Sequence, residues 1–474
     1  MQLSTSLSDN ITQLNEIFPI QKSYDFITRN LHLQNTKAFW IGINGLSDSE
    51  LLLKIFSDLQ NPEFNVEKVI KDLPFFVSSK IGYIQTELCN DWDKLIKNIL
   101  SGPSVLFIDG FANAIILDTR KYPARSIEEP DSERVTRGAK DGFVEILVHN
   151  TALIRRRIRN PKLTFEVKTV GSETKSDVAI AYLDSNIDHN LLDTICNKID
   201  QLNVPALTMG PKSLEELIIK KRWYNPLPQI RYTQRPDVAC SYLQEGYIAV
   251  IVDNFPSIMI FPCTFFQFTQ NPEDYYQNPS VGNYLRFVRF LCILITLFAM
   301  PIFFLLGIYS KRLPDTMQVI KTMDLSPIKL FAFVLSIEIF LDIFRYSSAN
   351  AASGLSHSLS LVGGLIIGDI AVELEWASSE VIFYGALTLL ASLGIASLEF
   401  ASALRLYRIF VIIMTGCFHL VGFIIGYVLV FLSIITTSSI TGKNYFWPLY
   451  PFSWKALKTL LFRYPNARYQ AKKR

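Results

Sequence analysis

The chain has 474 residues, 49% of them hydrophobic, with a mean hydropathy of +0.24 and a formal net charge of +3. That length exceeds what one hydrophobic core serves, and so small a positive balance excludes the electrostatic footprint of a nucleic-acid-binding protein. The apolar excess is uneven: up to Asn283 charged and apolar residues mix as in a globular protein, and from Leu285 long apolar blocks dominate. The pattern predicts an α+β/α architecture, an N-terminal head of two tandem α/β subdomains followed by an α-helical membrane domain.

The opening MQLSTSLSDNITQLNEIF carries no basic segment followed by an apolar core, so no cleaved signal is expected and the head is placed on the cytoplasmic side. KAFWIGING, Lys37–Gly45, reads as a strand; a polar loop with Asp48 follows, then a helical stripe at Leu51, Leu52, Ile55 and Leu59. LFIDGFANAIIL, Leu106–Leu117, reads as a hairpin turned at Asp109-Gly110 and entered through Ser101-Gly102. The same order returns about 140 residues later, the mark of an internal repeat. DVAIAYLD, Asp177–Asp184, is followed by a loop with Asp188 and by Leu191, Leu192, Ile195 and Ile199. VIVDNFPSIMIF, Val250–Phe261, is the second hairpin, turned at Asp253-Asn254 and entered through Glu245-Gly246.

Between the copies, Phe143, Ile146, Leu147, Ala152, Leu153 and Ile154 form a helical stripe that Pro161 stops. Its charged end is Arg155, Arg156 and Arg157 with Arg159. One reading is a solvated face complementing a helix C-terminus. The other is a clamp between domains or subunits, or a contact with anionic lipid headgroups. Thr119–Gly138 reads as an exposed connector. The expected domains are subdomain one with its connector over 1–140, a linker helix over 141–161, subdomain two over 162–282, a multi-helix transmembrane domain over 283–440, and a basic cytoplasmic tail over 441–474.

No catalytic constellation appears. The five histidines show no metal spacing, and no GxGxxG or Walker pattern follows a strand. The six cysteines form no CxxC and read as small buried hydrophobes in a reducing compartment. No catalytic, cofactor-binding or metal-binding residue is expected; the head reads as a recognition or assembly module, not an enzyme.

The tail holds five apolar blocks. Tyr284–Tyr309 has Arg286 and Arg289 at its entry and Pro301 as a kink site. Leu325–Arg345 carries Glu338, Asp342 and Arg345 on one helical face. Either Asp342 and Arg345 satisfy each other, or the helix lies in the interface, or the acids make a polar ion-accessible surface inside an oligomer. Ser353–Val372 has Gly364 and Gly368 at a GxxxG spacing for close helix approach, with Asp369 beside them. Glu380–Glu399 and Leu406–Ile435 complete the set, with Arg405 and Arg408 read as standing between them. Asn444–Trp454 reads as an interfacial aromatic belt before a basic end. A cytoplasmic head and a basic cytoplasmic C-terminus require an even number of crossings: either Leu325–Arg345 is interfacial or re-entrant, leaving four spans, or the positive-inside rule fails at Lys311, Arg312, Lys321 and Lys329; four spans are preferred.

NTALIRRRIRNPKL (Asn150–Leu163), RPDVACSYLQEGYIAVIVDNFPSIMIFPCTFFQF (Arg235–Phe268) and PEDYYQNP (Pro272–Pro279) resemble the A subunits of GerA-type spore germinant receptors. LIIGDIAVELEWASSEVIFY (Leu365–Tyr384), KSYDFITRNL (Lys22–Leu31) and NYFWPLYPFSWKAL (Asn444–Leu457) resemble the stage V sporulation branch of that family, and Glu338 and Asp342 fit the same branch. KDGFVEIL and SLEFASALRL depart from the family pattern. The resemblance implies a multi-pass protein of the spore inner membrane acting in germination, in an oligomeric ligand-gated ion channel with its head on the core side. The expected partners are membrane lipid, further copies of the chain and a second membrane subunit, with no nucleic acid. The leading expectation is a cation-conducting channel subunit with Glu338, Asp342 and Asp369 along the ion path. The alternative is a non-conducting germinant-sensing or scaffold subunit.

Overall fold

The computed structural model describes residues 2–33, 36–60, 72–82, 85–122, 138–219, 222–312, 326–350, 373, 378–437, 439–440 and 444–462. The chain divides into two units. Met1–Lys220 with Ile230–Pro262 form the first, and Lys221–Gln229 with Cys263–Arg474 the second.

The first unit is built twice over. Copy one runs α1 (Leu7–Ile17), β1 (Phe26–Leu33), β2 (Thr36–Ile43), α2 (Ser49–Gln60), α3 (Leu73–Lys80), β3 (Thr86–Cys89), α4 (Trp92–Ser101), β4 (Ser104–Ile108) and β5 (Ala114–Leu117). Copy two repeats that order as α5 (Leu147–Arg157), β6 (Leu163–Val170), β7 (Ser176–Leu183), α6 (His189–Asp200), α7 (Pro211–Ile218), β8 (Arg231–Thr233), α8 (Pro236–Gln244), β9 (Ile248–Val252) and β10 (Ile258–Phe261). The two sheets have the same strand order, β1-β2-β4-β5-β3 and β6-β7-β9-β10-β8. Every ladder is antiparallel, so each half is an α+β layer structure and not the α/β type that its strand–loop–helix opening suggests.

Helices cover both faces of the first sheet, which is why β4 and β5 read as continuous apolar runs. On one face α1 and α4 set Leu14, Trp92, Leu95 and Ile99 against Ile41, Phe107 and Ile116. On the other, α2 and α3 set Ile55, Phe56 and Phe76 against Trp40, Leu106 and Ile115. In copy two, α5 and α8 set Leu153, Ile154 and Leu243 against Phe165, Ala181 and Ile251. The buried Cys240 thiol of α8 is pushed up to about 12 by its burial, consistent with an inert packing residue.

The helix expected over 141–161 forms only from Leu147 to Arg157, and it is the first helix of copy two, equivalent to α1. Side chains hold the preceding segment out of the helix: Asn150 Oδ1 accepts from the Val144 N–H at 2.8 Å, as Asn10 Oδ1 accepts from the Ser4 N–H at 3.0 Å. The hairpin aspartates supply the other restraint. Asp109 Oδ1 accepts the Leu7 N–H at 3.0 Å, and Asp253 Oδ1 accepts the Leu147 N–H at 3.1 Å. Each hairpin tip thus caps the first helix of its own copy, while Gly110 (φ 90°) and Asn254 (φ 67°) supply the positive φ of the turn.

The second unit is helical. Pro279–Ile308 contains a π-helical turn at Ile295–Ala299, and Pro327–Asn350, Ser379–Leu393, Leu398–Thr436 and Trp454–Leu461 follow. Pro279–Ile308 and Leu398–Thr436 are long and apolar enough to cross a membrane by length and composition. Leu398–Thr436 is not one rod: His419 has φ 51° and ψ −131°, and the chain folds back there. Tyr407 and Ser433 on the two arms share a hydrogen bond at 2.8 Å. A Cβ at Gly422 would lie 1.9 Å from the Met414 carbonyl oxygen, so the arms approach closely only because that position is glycine. The block read as one span over Leu406–Ile435 is therefore a helical hairpin. The helix within Glu380–Glu399 ends at Leu393. Tyr445, expected in an interfacial belt, is fully buried and donates to the Pro228 carbonyl at 2.7 Å, whereas Tyr450, Phe452 and Trp454 are exposed.

Asp109→Ala and Asp253→Ala are each expected to destabilise by about 1 kcal/mol through loss of the cap. Amide hydrogen exchange checks this: protection should fall first in the opening turn of α1 for one variant and of α5 for the other.

Candidate functional site: a buried ion-pair ladder

Within the arginine run Arg156 and Arg159 are exposed and Arg157 is half-buried, but Arg155 turns inward. Arg155 is fully buried, and its Nε donates to Asp25 Oδ2 at 2.8 Å. Its remaining donors reach the carbonyls of Asn160 at 3.0 Å and Leu163 at 2.8 Å, and its plane packs on Phe26 and Phe165. Asp25 precedes β1 of copy one, while Leu163 and Phe165 belong to β6 of copy two. The adjoining residues continue the seam: the Tyr24 N–H donates to the Phe165 carbonyl at 3.1 Å, and the Phe165 N–H donates to Ser23 Oγ at 2.9 Å. Arg156 covers the Tyr122 ring at 4.4 Å, and Arg157 pairs with Asp141 at 2.5 Å. Arg155 and Arg156 thus join the two copies to each other, whereas the Arg157–Asp141 pair stays within the segment that opens copy two.

A groove of about 480 Å³ opens beside that seam, lined by Lys22 together with Glu166, Tyr182, Asp184, His189 and Cys196 of copy two. The equivalent positions of copy one hold a cluster of large side chains. Trp40 stacks edge-on against Phe56 at 5.6 Å, and Arg29 covers the same ring at 5.5 Å. Register places Cys196 where Phe56 stands, Glu166 where Arg29 stands and Tyr182 where Gly42 stands. A thiol replaces the Phe56 ring and a carboxylate the Arg29 guanidinium, while a tyrosine stands where copy one has a glycine. The Tyr182 hydroxyl donates to Glu166, and burial, then the Glu166 carboxylate, push it above the ordinary tyrosine range.

Charged side chains also meet inside the helical unit. Arg408, from the first arm of the hairpin, donates through Nη2 to Glu338 Oε2 at 2.6 Å, with both side chains buried. One turn along, Arg405 pairs with Asp342 at 3.0 Å, with side-chain exposures of 17% and 36%. The partner of Asp342 is thus Arg405 and not Arg345. Arg405 and Arg408 lie within the hairpin arm, not between helices. Sequence spacing missed both partners, because they come from a helix far along the chain.

Pro301 explains why this arginine is held where it is. A proline nitrogen has no hydrogen to give. In the α register that orphans the Leu297 carbonyl, four residues back. In the π register of Ile295–Ala299 it orphans the Thr296 carbonyl, five back. Both carbonyls find donors: Arg408 Nη1 donates to Thr296 O at 2.9 Å, and the Tyr427 hydroxyl donates to Leu297 O at 2.9 Å. Among the described residues Glu338 Oε1, Thr296 Oγ1 and Arg408 Nε are buried without a hydrogen-bond partner. Arg286 and Arg289, read as entry-side charges, are buried against Asp274, which takes Arg289 Nη1 and Nη2 at 2.9 and 3.0 Å. Gly364, Gly368 and Asp369 lie outside the described residues. No group of three or more His, Cys, Asp or Glu among the described residues is placed to hold a metal ion.

Two stability changes follow. Arg155→Met leaves a buried Asp25 carboxylate uncompensated and is expected to cost about 3–5 kcal/mol, most of it recovered by adding Asp25→Asn. Glu338→Gln strands Arg408 in the same way, so the intact protein in detergent should lose several kcal/mol. Thermal unfolding followed by proteolysis measures both.

A model for the Bacillus/Clostridium GerA spore germination protein matches residues 12–474. The chain is 35% identical to stage V sporulation protein AF of Bacillus subtilis, over 93% of this chain and 89% of that protein. It is 29% identical to spore germination protein KA of the same organism, over 98% of this chain and 85% of that protein. Spore germination protein B1 of the same organism is 28% identical, over 98% and 96%. Among solved structures, the N-terminal domain of the A subunit of the Bacillus megaterium spore germinant receptor GerK3 aligns with a TM-score of 0.41 and 24% identity, covering 56% of this chain and 98% of that one.

Proposed function

The chain belongs to the GerA spore germination family, and from that membership we propose that it is a membrane subunit acting in spore germination, whose copies assemble into a cation-conducting channel. The observation that carries the membrane reading is the outer surface of the hairpin. Phe410, Ile413, Phe418, Val421, Ile424, Val428 and Phe431 are all exposed along its two arms. Water does not tolerate such a contiguous apolar surface, whereas hydrocarbon does. At 1.5 Å per residue the arms are about 30 and 25 Å long, close to the thickness of a bilayer core.

Counting the hairpin as two crossings supports six in place of four. Five apolar blocks become six when the last is two arms, and an even number then follows without demoting Leu325–Arg345. The Glu338–Arg408 pair supports this: it joins the middle of Pro327–Asn350 to the middle of the first arm, as two spans side by side would. Head and C-terminus then share the cytoplasmic side, the core side in a spore.

For conduction the weight falls on Asp369. Glu338 and Asp342 each carry an arginine partner, which cancels the field that would attract a cation. The same pairing, with the groove beside the seam, favours the alternative of a non-conducting germinant-sensing or scaffold subunit. The experiment that separates the readings is monovalent-cation flux through full-length protein reconstituted in liposomes. Wild-type flux, reduced severalfold by Asp369→Asn with assembly unchanged, is the expected result. An assembled wild-type protein that passes no ions overturns the channel and leaves the non-conducting subunit.

A further inference from the structure

The ladder of charged residues does not balance. Among the described residues it contains Arg345, Arg405 and Arg408 against Glu338 and Asp342. Those four other groups are the charged neighbours that act on Arg345. Each acid is taken by another arginine, and Arg345 has no ion pair of its own among the described residues. The Nε atoms of Arg345 and Arg405 are both buried without a hydrogen-bond partner. An uncompensated guanidinium beside an apolar bundle is costly unless an anion meets it.

We propose that Arg345 and Arg405 bind the phosphate of an anionic phospholipid headgroup. This rests on the membrane reading above. The pairs Glu338–Arg408 and Asp342–Arg405 set an antiparallel register between the two helices. Continuing it puts Arg345 level with Ala401 and Ser402, in the first turn of Leu398–Thr436, which Ser397 caps and which also carries Glu399. Glu338 is near the middle of its helix, so Arg345 stands about 10 Å nearer one end. A long arginine side chain covers the rest of the roughly 15 Å to the headgroup boundary. Ile339, Ile343 and Tyr346 are exposed on the same helix, an apolar stripe ending in an aromatic residue. That pattern fits an acyl chain lying beneath its headgroup. Arginine suits the ligand because its planar fork matches phosphate oxygens.

The test uses full-length protein purified in mild detergent from a membrane holding both zwitterionic and anionic phospholipid, with bound lipid quantified by native mass spectrometry. Wild type should retain anionic phospholipid selectively. Arg345→Gln should lower that retention about fivefold, the equivalent of the roughly 1 kcal/mol one basic residue contributes at an anionic surface. Asp342→Asn removes a competing carboxylate and should raise it, a gain that misfolding cannot mimic. Retention in proportion to membrane composition, or retention unchanged in Arg345→Gln, overturns the proposal. So does an Arg345→Gln variant that keeps its lipid but loses its oligomer, since the site then takes another chain's carboxylate. Delipidated protein that is stabilised by inorganic phosphate and not by short-chain phosphatidylglycerol also overturns the lipid source. A chain that fails to float with vesicles overturns the membrane reading itself; one that floats without lipid preference overturns this site alone.

Discussion

Arginines taken out of water must be neutralised where they sit, and the fold is arranged around that constraint. Arg155 meets Asp25 at the seam of the duplicated unit; Arg289 meets Asp274 where the helical unit begins; Arg408 meets Glu338 inside the bundle. In each case backbone carbonyls take up further guanidinium donors. A buried pair is a poor source of net stability but a strong source of register, because either partner alone is far more costly than both together. The pairs therefore say less about how stable the protein is than about which segments must find each other.

The duplicated unit shows how copies of one fold diverge. The cap linking hairpin tip to first helix is kept in both, since each helix start needs an acceptor for its opening N–H. What differs is the filling between strands and helix. Copy one packs Trp40 against Phe56 there, and copy two lines a groove with Cys196, Tyr182 and Glu166.

In the helical unit one proline has consequences three helices wide. Pro301 and the wider turn before it release two carbonyls, and those carbonyls fix Arg408 and Tyr427 from the two arms of the hairpin. Arg408 in turn holds Glu338. A backbone irregularity that would only weaken an isolated helix here sets the packing of its neighbours.

Periodicity and repetition were enough to read the boundary between mixed and apolar parts, the duplication and its hairpins. These are local properties: strand alternation, turn residues and apolar runs are written residue by residue. The phrases NTALIRRRIRNPKL, KSYDFITRNL and PEDYYQNP pointed to the family, and the structure gives them a physical sense. The first two hold Arg155 and Asp25, and the third holds Asp274. What spacing did not reveal was decided by partners distant in the chain. Asp342 pairs with Arg405 and not with its neighbour Arg345, and Tyr445 is buried and not interfacial. The last apolar block doubles back at His419, where Gly422 lets its arms meet. Helical periodicity states which residues share a face; only the packed fold determines what that face meets.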